Sequence, residues 1–248
     1  MTLPPGLLSR PVAHRGLHGR GVPENSRAAF RAACAAGYAI ELDVQPAADG
    51  TPLVFHDHDL QRMAGRQGMI SALTPDQAAA LRLRGTDQGT PTLGEVLADV
   101  AGRVPVLIEI KDQDGALGPD IGTLPLRVAE IVRDHAGTVA VMSFNPHAVA
   151  AVRQAAPEVA VGLTSCHFPA NDWPGVPPAR RAELARLADF DRVGAMFVSH
   201  YHLDLGNPAV AALKARGAPV LAWTIRSPRQ EAAARRVADN ITFEGYLA

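Results

Sequence analysis

Short apolar runs alternate with Ala/Leu/Arg-rich segments of helical period along the whole chain. This alternation limits the fold more than any other feature, because it is the signature of repeated βα units and a parallel sheet. Strands are predicted over residues 12–14, 39–44, 104–110, 139–143, 159–163, 195–199, 220–225 and 241–243. Helices are predicted over residues 26–36, 93–100, 124–135, 146–155, 179–187, 208–216 and 228–237. Three of these start with Pro after a capping Asn or Ser, at Asn145-Pro146, Asn207-Pro208 and Ser227-Pro228. Eight parallel strands in 248 residues, with no linker to divide them, predict an α/β chain folded as one TIM (β/α)8 barrel over residues 1–248. Only five residues follow Phe243, so no C-terminal eighth helix is expected. Residues 1–11 or another subunit are expected to cover the gap between the last and first strands.

A ninth, antiparallel strand is expected over residues 53–56, as the return arm of a β-hairpin after the second strand. Asp49-Gly50 is a strong two-residue turn signal that pairs Ala48 with Thr51. Counting outward from that turn puts Asp43 opposite His56, a carboxylate and an imidazole on one face of one ribbon. Pro46 and Pro52 confine the ribbon to an edge above the barrel. Residues 57–91 then form a short insertion over the active face, with one helix near residues 75–83.

Net charge and composition exclude several function classes. The chain carries 24 basic and 25 acidic residues with no dense basic run, whereas phosphate-backbone binding needs a clustered basic surface. A small-molecule partner is expected, with no nucleic acid. The first thirteen residues hold Pro4, Pro5, Gly6, Ser9, Arg10 and Pro11 and no apolar core of a signal peptide, and no later stretch approaches a membrane span. A cytoplasmic protein without stable membrane insertion is the expectation, and self-association into a homo-oligomer is left open. Cys34 and Cys166 lie outside any C-x-x-C spacing, so both are read as buried small hydrophobes, Cys34 on the inner face of a helix.

The chemistry is concentrated in Ala13-His14-Arg15-Gly16, Ile40-Glu41-Leu42-Asp43-Val44 and Val54-Phe55-His56-Asp57. Strand periodicity puts Glu41 and Asp43 on one face, and Glu109 and Lys111 likewise, both pairs at C-terminal strand ends. Three converging carboxylates repel unless a hard cation or several donors compensate them, and an all-oxygen set suits Mg²⁺ or Ca²⁺ rather than Zn²⁺. Lys111 is one of two lysines among the 24 basic residues, yet it lies in an apolar strand. It offers a point charge to a phosphate, and Arg15 offers a forked donor. His18, His135, His147, His167 and His202 are read as surface or core residues without chemistry. Asn25 reads as the N-cap of the first helix, and Phe144 and Trp223 read as barrel core; all three are kept as substrate-contact candidates.

These residues resemble the glycerophosphodiester phosphodiesterases, relatives of the phosphatidylinositol-specific phospholipases C. The likeness runs in order through His14-Arg15-Gly16, Pro23-Glu24-Asn25-Ser26, Glu41-Leu42-Asp43-Val44, Asp49-Gly50, Val54-Phe55-His56-Asp57, Glu109-Ile110-Lys111, Ser143-Phe144 and Trp223-Thr224-Ile225. It implies one divalent cation, Mg²⁺ or Ca²⁺, on Glu41, Asp43 and Glu109, with His14 and His56 as general acid and base and Arg15 and Lys111 on the phosphate. The implied reaction is hydrolysis of a glycerophosphodiester to sn-glycerol 3-phosphate and an alcohol. Two segments depart from the pattern. Leu83-Arg84-Gly85-Thr86-Asp87-Gln88-Gly89-Thr90 is short and polar, and Asn240-Ile241-Thr242-Phe243-Glu244-Gly245 replaces the usual Gly-Ile-Ile-Thr-Asp, leaving Glu244 without a role.

Alternatives share parts of this pattern. A lysophospholipase D-like or phospholipase C-like phosphodiesterase would use the same site. A non-catalytic barrel binding phosphorylated ligands would need the cation but not two proton carriers. His56-Asp57-His58 and His200-Tyr201-His202 match the His-x-His of metal-dependent amidohydrolases, but that class places the pattern on the first strand, where this chain has His14-Arg15.

Overall fold

The computed structural model describes residues 3–248. Its strands are β1 (Val12–Ala13), β2 (Ala39–Pro46), β3 (Pro52–Val54), β4 (Val106–Ile110), β5 (Val139–Ser143), β6 (Ala160–Ser165), β7 (Phe197–Tyr201), β8 (Val220–Ile225) and β9 (Asn240–Phe243). All but β3 run parallel, and the ring closes where Val12 pairs with Ala39 on one side and Thr242 on the other. The predicted TIM barrel is therefore present, with helices between successive strands.

Period-two alternation separates the two cores. Val12, Ala39, Leu107, Ala140, Met142, Ala160, Phe197 and Leu221 cluster inside the ring. Ile40, Leu42, Val44, Ile108, Val141, Val161, Val198 and Ile241 pack outward against the helices. Gly162 is the inward residue beside Phe197, and a Cβ there would lie 2.5 Å from the Phe197 ring. Gly162→Ala therefore overpacks the barrel and should cost about 1–3 kcal/mol, read as a lower denaturant midpoint at unchanged m-value.

Leu3 and Leu7 join the inner cluster from below, with Leu7 on the one-turn helix Gly6–Ser9. Asn240 fixes this plug by donating to the carbonyls of Leu7 at 2.8 Å and Arg10 at 2.6 Å. The N-terminal segment thus closes the bottom of the barrel instead of covering the gap beside β9. Residues 1 and 2 of that expected cover lie outside the described residues. The β9–β1 seam is covered instead by residues 244–248 and Tyr38: the Tyr38 ring lies 4.8 Å from Phe243, and its hydroxyl donates to Ala248 O at 2.7 Å.

The helix starts at Pro146, Pro208 and Pro228 fall as predicted, each behind an Asn or Ser whose side chain accepts a backbone N–H of the first turn. β7 begins two residues later than expected because residues 186–194 wind into turns that end at Gly194, φ +65°. The insertion holds three single turns, Gln61–Ala64, Ile70–Ala72 and Pro75–Ala79, where the sequence predicts one helix near residues 75–83. Pieces of three to five residues carry no periodic signal. Leu60, Ile70, Ala78, Leu81 and Leu83 form a satellite core with Leu53 and Phe55 of the hairpin. Cys166 is buried as expected, but Cys34 is only half-buried. Among the described residues, no helix is long and apolar enough to cross a membrane.

The hairpin differs from its prediction by one residue. Ala47 N donates to Thr51 O at 2.8 Å, so Ala48, Asp49 and Gly50 form a three-residue loop with Gly50 at φ +83°. Pro46 pairs with Pro52 and Val44 with Val54, and Phe55 N donates to Asp43 O at 3.0 Å. Asp43 thus faces Phe55 and not His56. A slip of one would turn His56 away from Asp43 if the ladder continued. It ends at Val54, and the chain leaves the ribbon before His56.

Candidate active site

Inward alternation brings Glu41 and Asp43 on β2 and Glu109 on β4 to the C-terminal end of the barrel, where Asp43 pairs in register with Glu109. Glu41 and Asp43 are 1 % exposed and Glu109 6 %, so their charge meets the rest of the site with little solvent screening. The three offer oxygens within 4.8 Å of one another. Lys111, just past β4, bridges Asp43 Oδ1 at 2.7 Å and Glu109 Oε1 at 2.5 Å. Arg15 approaches Asp43 Oδ2 through Nε at 3.3 Å, and its backbone N donates to Glu41 Oε2 at 2.8 Å. Arg15 and Gly16 lie at φ +54° and +80°, a turn that aims this N–H at Glu41, and a Cβ on Gly16 would lie 2.8 Å from Ala29 Cβ.

Both histidines are oriented by a carboxylate on Nδ1. His14 contacts Glu244 Oε2 at 2.5 Å, and His56 contacts Asp57 Oδ1 at 2.7 Å. The other nitrogen of His14 lies 4.0 Å from Glu41. Arg226 holds the second oxygen of Glu244 at 2.7 Å, and Arg62 ties Asp57 to Glu24, which also accepts from Arg15. Six carboxylates (Glu24, Glu41, Asp43, Asp57, Glu109, Glu244) and four fixed cations (Arg15, Arg62, Lys111, Arg226) make up this network. With every carboxylate ionised and both histidines neutral, two negative charges stay uncompensated, the charge of one divalent cation.

The protonation preferences follow from this layout. Burial, with the charges of Asp43 and Glu109, holds the Glu41 carboxyl well above the usual range. Burial also pushes Asp43 up, but Lys111, His56, Arg15 and His14 outweigh it and hold that carboxyl low. Lys111 is raised, because the two carboxylates it bridges overcome its own burial. Burial depresses His14 despite the opposing bond from Glu244. An acidic trio in which one member resists ionisation without further positive charge is a set that a hard divalent cation fits.

His14, Arg15, Glu41, Asp43, His56, Glu109, Lys111, Phe144 and Trp223 line one cavity of about 170 Å³. Of the ten residues singled out in the sequence, only Asn25 is off its wall. Ser26, not Asn25, caps the first helix, accepting from Ala29 N. Asn25, at φ +53°, donates to Asp43 Oδ2 at 2.8 Å, so it holds a candidate ligand in place. Asn25→Ala should weaken divalent-cation affinity about 10- to 100-fold, measured by calorimetric Mg²⁺ titration. Phe144 and Trp223 meet edge to face at 5.6 Å on the cavity wall and are not sealed barrel core.

Sequence reading missed the partners of the histidines. Asp57 adjoins His56, and barrel closure puts the residue after β9 beside the residue after β1, so both signals were present for Asp57 and Glu244. His200, in contrast, is fully buried between Ser165 Oγ at 2.7 Å and Asp204 Oδ2 at 2.9 Å, outside the cavity, so the His200-Tyr201-His202 match to the amidohydrolase pattern has no part in this site.

Comparison with known proteins gives a consistent result. The family model described as the glycerophosphoryl diester phosphodiesterase family matches residues 14–241. A glycerophosphodiester phosphodiesterase of Caldanaerobacter subterraneus subsp. tengcongensis is 30% identical over 162 residues, which is 61% of this chain and 65% of that protein. Glycerophosphodiester phosphodiesterase 1 of Homo sapiens is 28% identical over 163 residues, 62% of this chain and 48% of that protein. The alignments thus span less than two thirds of either relative. Among solved structures, an Oleispira antarctica phosphodiesterase in complex with the product sn-glycerol-3-phosphate has a TM-score of 0.75 at 23% identity, covering 94% of this chain and 91% of that one. A glycerophosphodiester phosphodiesterase from Parabacteroides distasonis has a TM-score of 0.74 at 23% identity, covering 94% and 92%. With a family model that matches nearly its whole length, this chain belongs to the glycerophosphoryl diester phosphodiesterase family.

Proposed function

We propose that this protein hydrolyses glycerophosphodiesters to sn-glycerol 3-phosphate and an alcohol, with a divalent cation, Mg²⁺ or Ca²⁺, held by Glu41, Asp43 and Glu109. The observation that carries this reading is the pair of imidazoles, each oriented by its own carboxylate, on the wall of the cavity that holds the acidic trio. Binding alone needs no oriented proton carriers. The Oleispira structure with its sn-glycerol-3-phosphate product supports the choice of substrate class.

Arg15 and Lys111 donate to the phosphate oxygens and fix the diester against the acidic trio. Glu244 keeps the proton of His14 on Nδ1, which leaves Nε2 to take a proton from the attacking hydroxyl, either that of water or that of the glycerol 2-position, in which case water then opens the cyclic phosphate. The depressed basicity of His14 keeps it neutral and ready for that role. His56, set by Asp57, delivers a proton to the leaving alkoxide. The cation, when bound, supplies Lewis-acid stabilisation of charge developing on the phosphate.

Purified protein assayed with Mg²⁺, Ca²⁺ or EDTA against glycerophosphocholine, glycerophosphoethanolamine, glycerophosphoinositol and a lysophospholipid tests the proposal. Cation-dependent turnover of at least one glycerophosphodiester is expected. Turnover of the lysophospholipid alone would favour the lysophospholipase D-like reading, and no turnover of any of the four would favour a binding protein.

A further inference from the structure

We propose that His14, His18 and Glu244 form a second metal site, for a transition cation such as Zn²⁺, and that its occupation switches the active site off. Their donor atoms lie within 4.8 Å of one another. Glu244 Oε2 is 2.5 Å from His14 Nδ1 and 3.5 Å from His18 Nε2, while Arg226 engages only Oε1. His18 Nε2 is buried and makes no hydrogen bond, a cost that a ligand would remove. Two imidazoles and one carboxylate suit a borderline cation, unlike the all-oxygen trio on β2 and β4.

Donor atoms at about 2.0–2.1 Å around a tetrahedral cation lie roughly 3.3 Å apart. The Glu244–His18 separation already matches this, and the Glu244–His14 contact has to open by less than about 1 Å. His18 and Glu244 line a groove of about 310 Å³ together with Gly16, Gly19, Gly245 and Tyr246, while His14 lines the catalytic cavity. That groove shares no lining residue with the catalytic cavity, so the cation has its own route of entry.

The consequence for His14 is chemical. An imidazole coordinated through Nδ1 carries its remaining proton on Nε2, the nitrogen that faces Glu41, so it has no lone pair with which to accept a proton there. Coordination also takes Glu244 away from its orienting bond. The switching rests on the proton-carrier role proposed for His14; the site itself does not.

Zn²⁺ titration by calorimetry in saturating Mg²⁺, with turnover followed in parallel, tests both parts in the wild type, His18→Ala and His18→Gln. The wild type should bind one Zn²⁺ and lose turnover in step with occupancy. Both His18 variants should keep basal turnover and need at least about tenfold more Zn²⁺. Co²⁺ in place of Zn²⁺ should give the visible absorption of a nitrogen-ligated four-coordinate ion in the wild type and lose it in the variants. Unchanged Zn²⁺ affinity in both variants overturns the site, as does inhibition relieved in proportion to added Mg²⁺, which would put Zn²⁺ on the acidic trio. Zn²⁺ binding with undiminished turnover overturns the switch. A protein without phosphodiesterase turnover would refute the proposed function, while calorimetry and the Co²⁺ spectrum would still decide the site.

Discussion

His14→Ala and His56→Ala are each expected to lower kcat on a glycerophosphodiester by about 10²- to 10⁴-fold, the usual worth of a positioned acid or base. KM should move far less, because neither imidazole is assigned to the phosphate. Both side chains line the cavity, and neither belongs to the packed clusters that hold the barrel together. Thermal midpoints should therefore stay near the wild type. The double variant should lose much less than the product of the two single effects, since two residues that act as one unit are not additive. Steady-state kinetics with a circular dichroism melt separates this outcome from misfolding. A variant that keeps half of the wild-type kcat would remove that histidine from the mechanism.

Lys111→Met is expected to act on stability as strongly as on turnover. The ammonium is the closest positive charge to Asp43 and Glu109, and all three side chains are largely shielded from solvent. Removing one partner from a buried ion network leaves charge uncompensated and costs about 3–5 kcal/mol, so in EDTA the variant should unfold at a much lower denaturant concentration. A divalent cation binding the same oxygens should restore part of the loss, about 2.7 kcal/mol at a concentration 100 times its Kd. Mg²⁺ should thus stabilise the variant more than the wild type, whose own ammonium competes for the carboxylates. Turnover should remain low in Mg²⁺, because the phosphate loses a donor. Denaturant midpoints in EDTA and in Mg²⁺ for both proteins measure the effect, and equal midpoints in EDTA would contradict it.

The barrel was legible because its signal is repeated. Each apolar run and each Asn-Pro or Ser-Pro start states one βα unit independently, so errors of two residues at β7 and of one to three at helix ends leave the topology intact. The hairpin shows the opposite case, where one turn decides a register and nothing nearby corrects it. Asp49-Gly50 marked the turn correctly, but the extra residue Ala48 lies inside the loop, and loop length is not written in the dipeptide. His56 reaches the cavity because the ladder stops at Val54, which is a property of tertiary packing around Phe55 and the satellite core.

The acidic trio and Lys111 were legible from strand periodicity, since alternation fixes which residues face inward. Of the partners outside strands, Asp57 and Glu244 had signals in chain adjacency and barrel closure, and the others had none. Asn25 holds Asp43 from a left-handed loop position, and Glu24, beside Arg15, reaches Arg62 across 38 residues of sequence. Glu244 reaches His14 across 230 residues, a contact that exists only because the barrel closes. Long-range charge networks of this kind are set by where loops finish, and no local pattern carries that information.

The central claim is cation-dependent cleavage of the bond between phosphorus and the alcohol. It is tested most directly by ³¹P NMR of glycerophosphocholine incubated with the protein, first in Mg²⁺ and then after excess EDTA. The account predicts conversion of the diester resonance to that of sn-glycerol 3-phosphate while the cation is present and arrest of conversion when EDTA is added. Continued conversion in EDTA, or phosphocholine as the product, would contradict it.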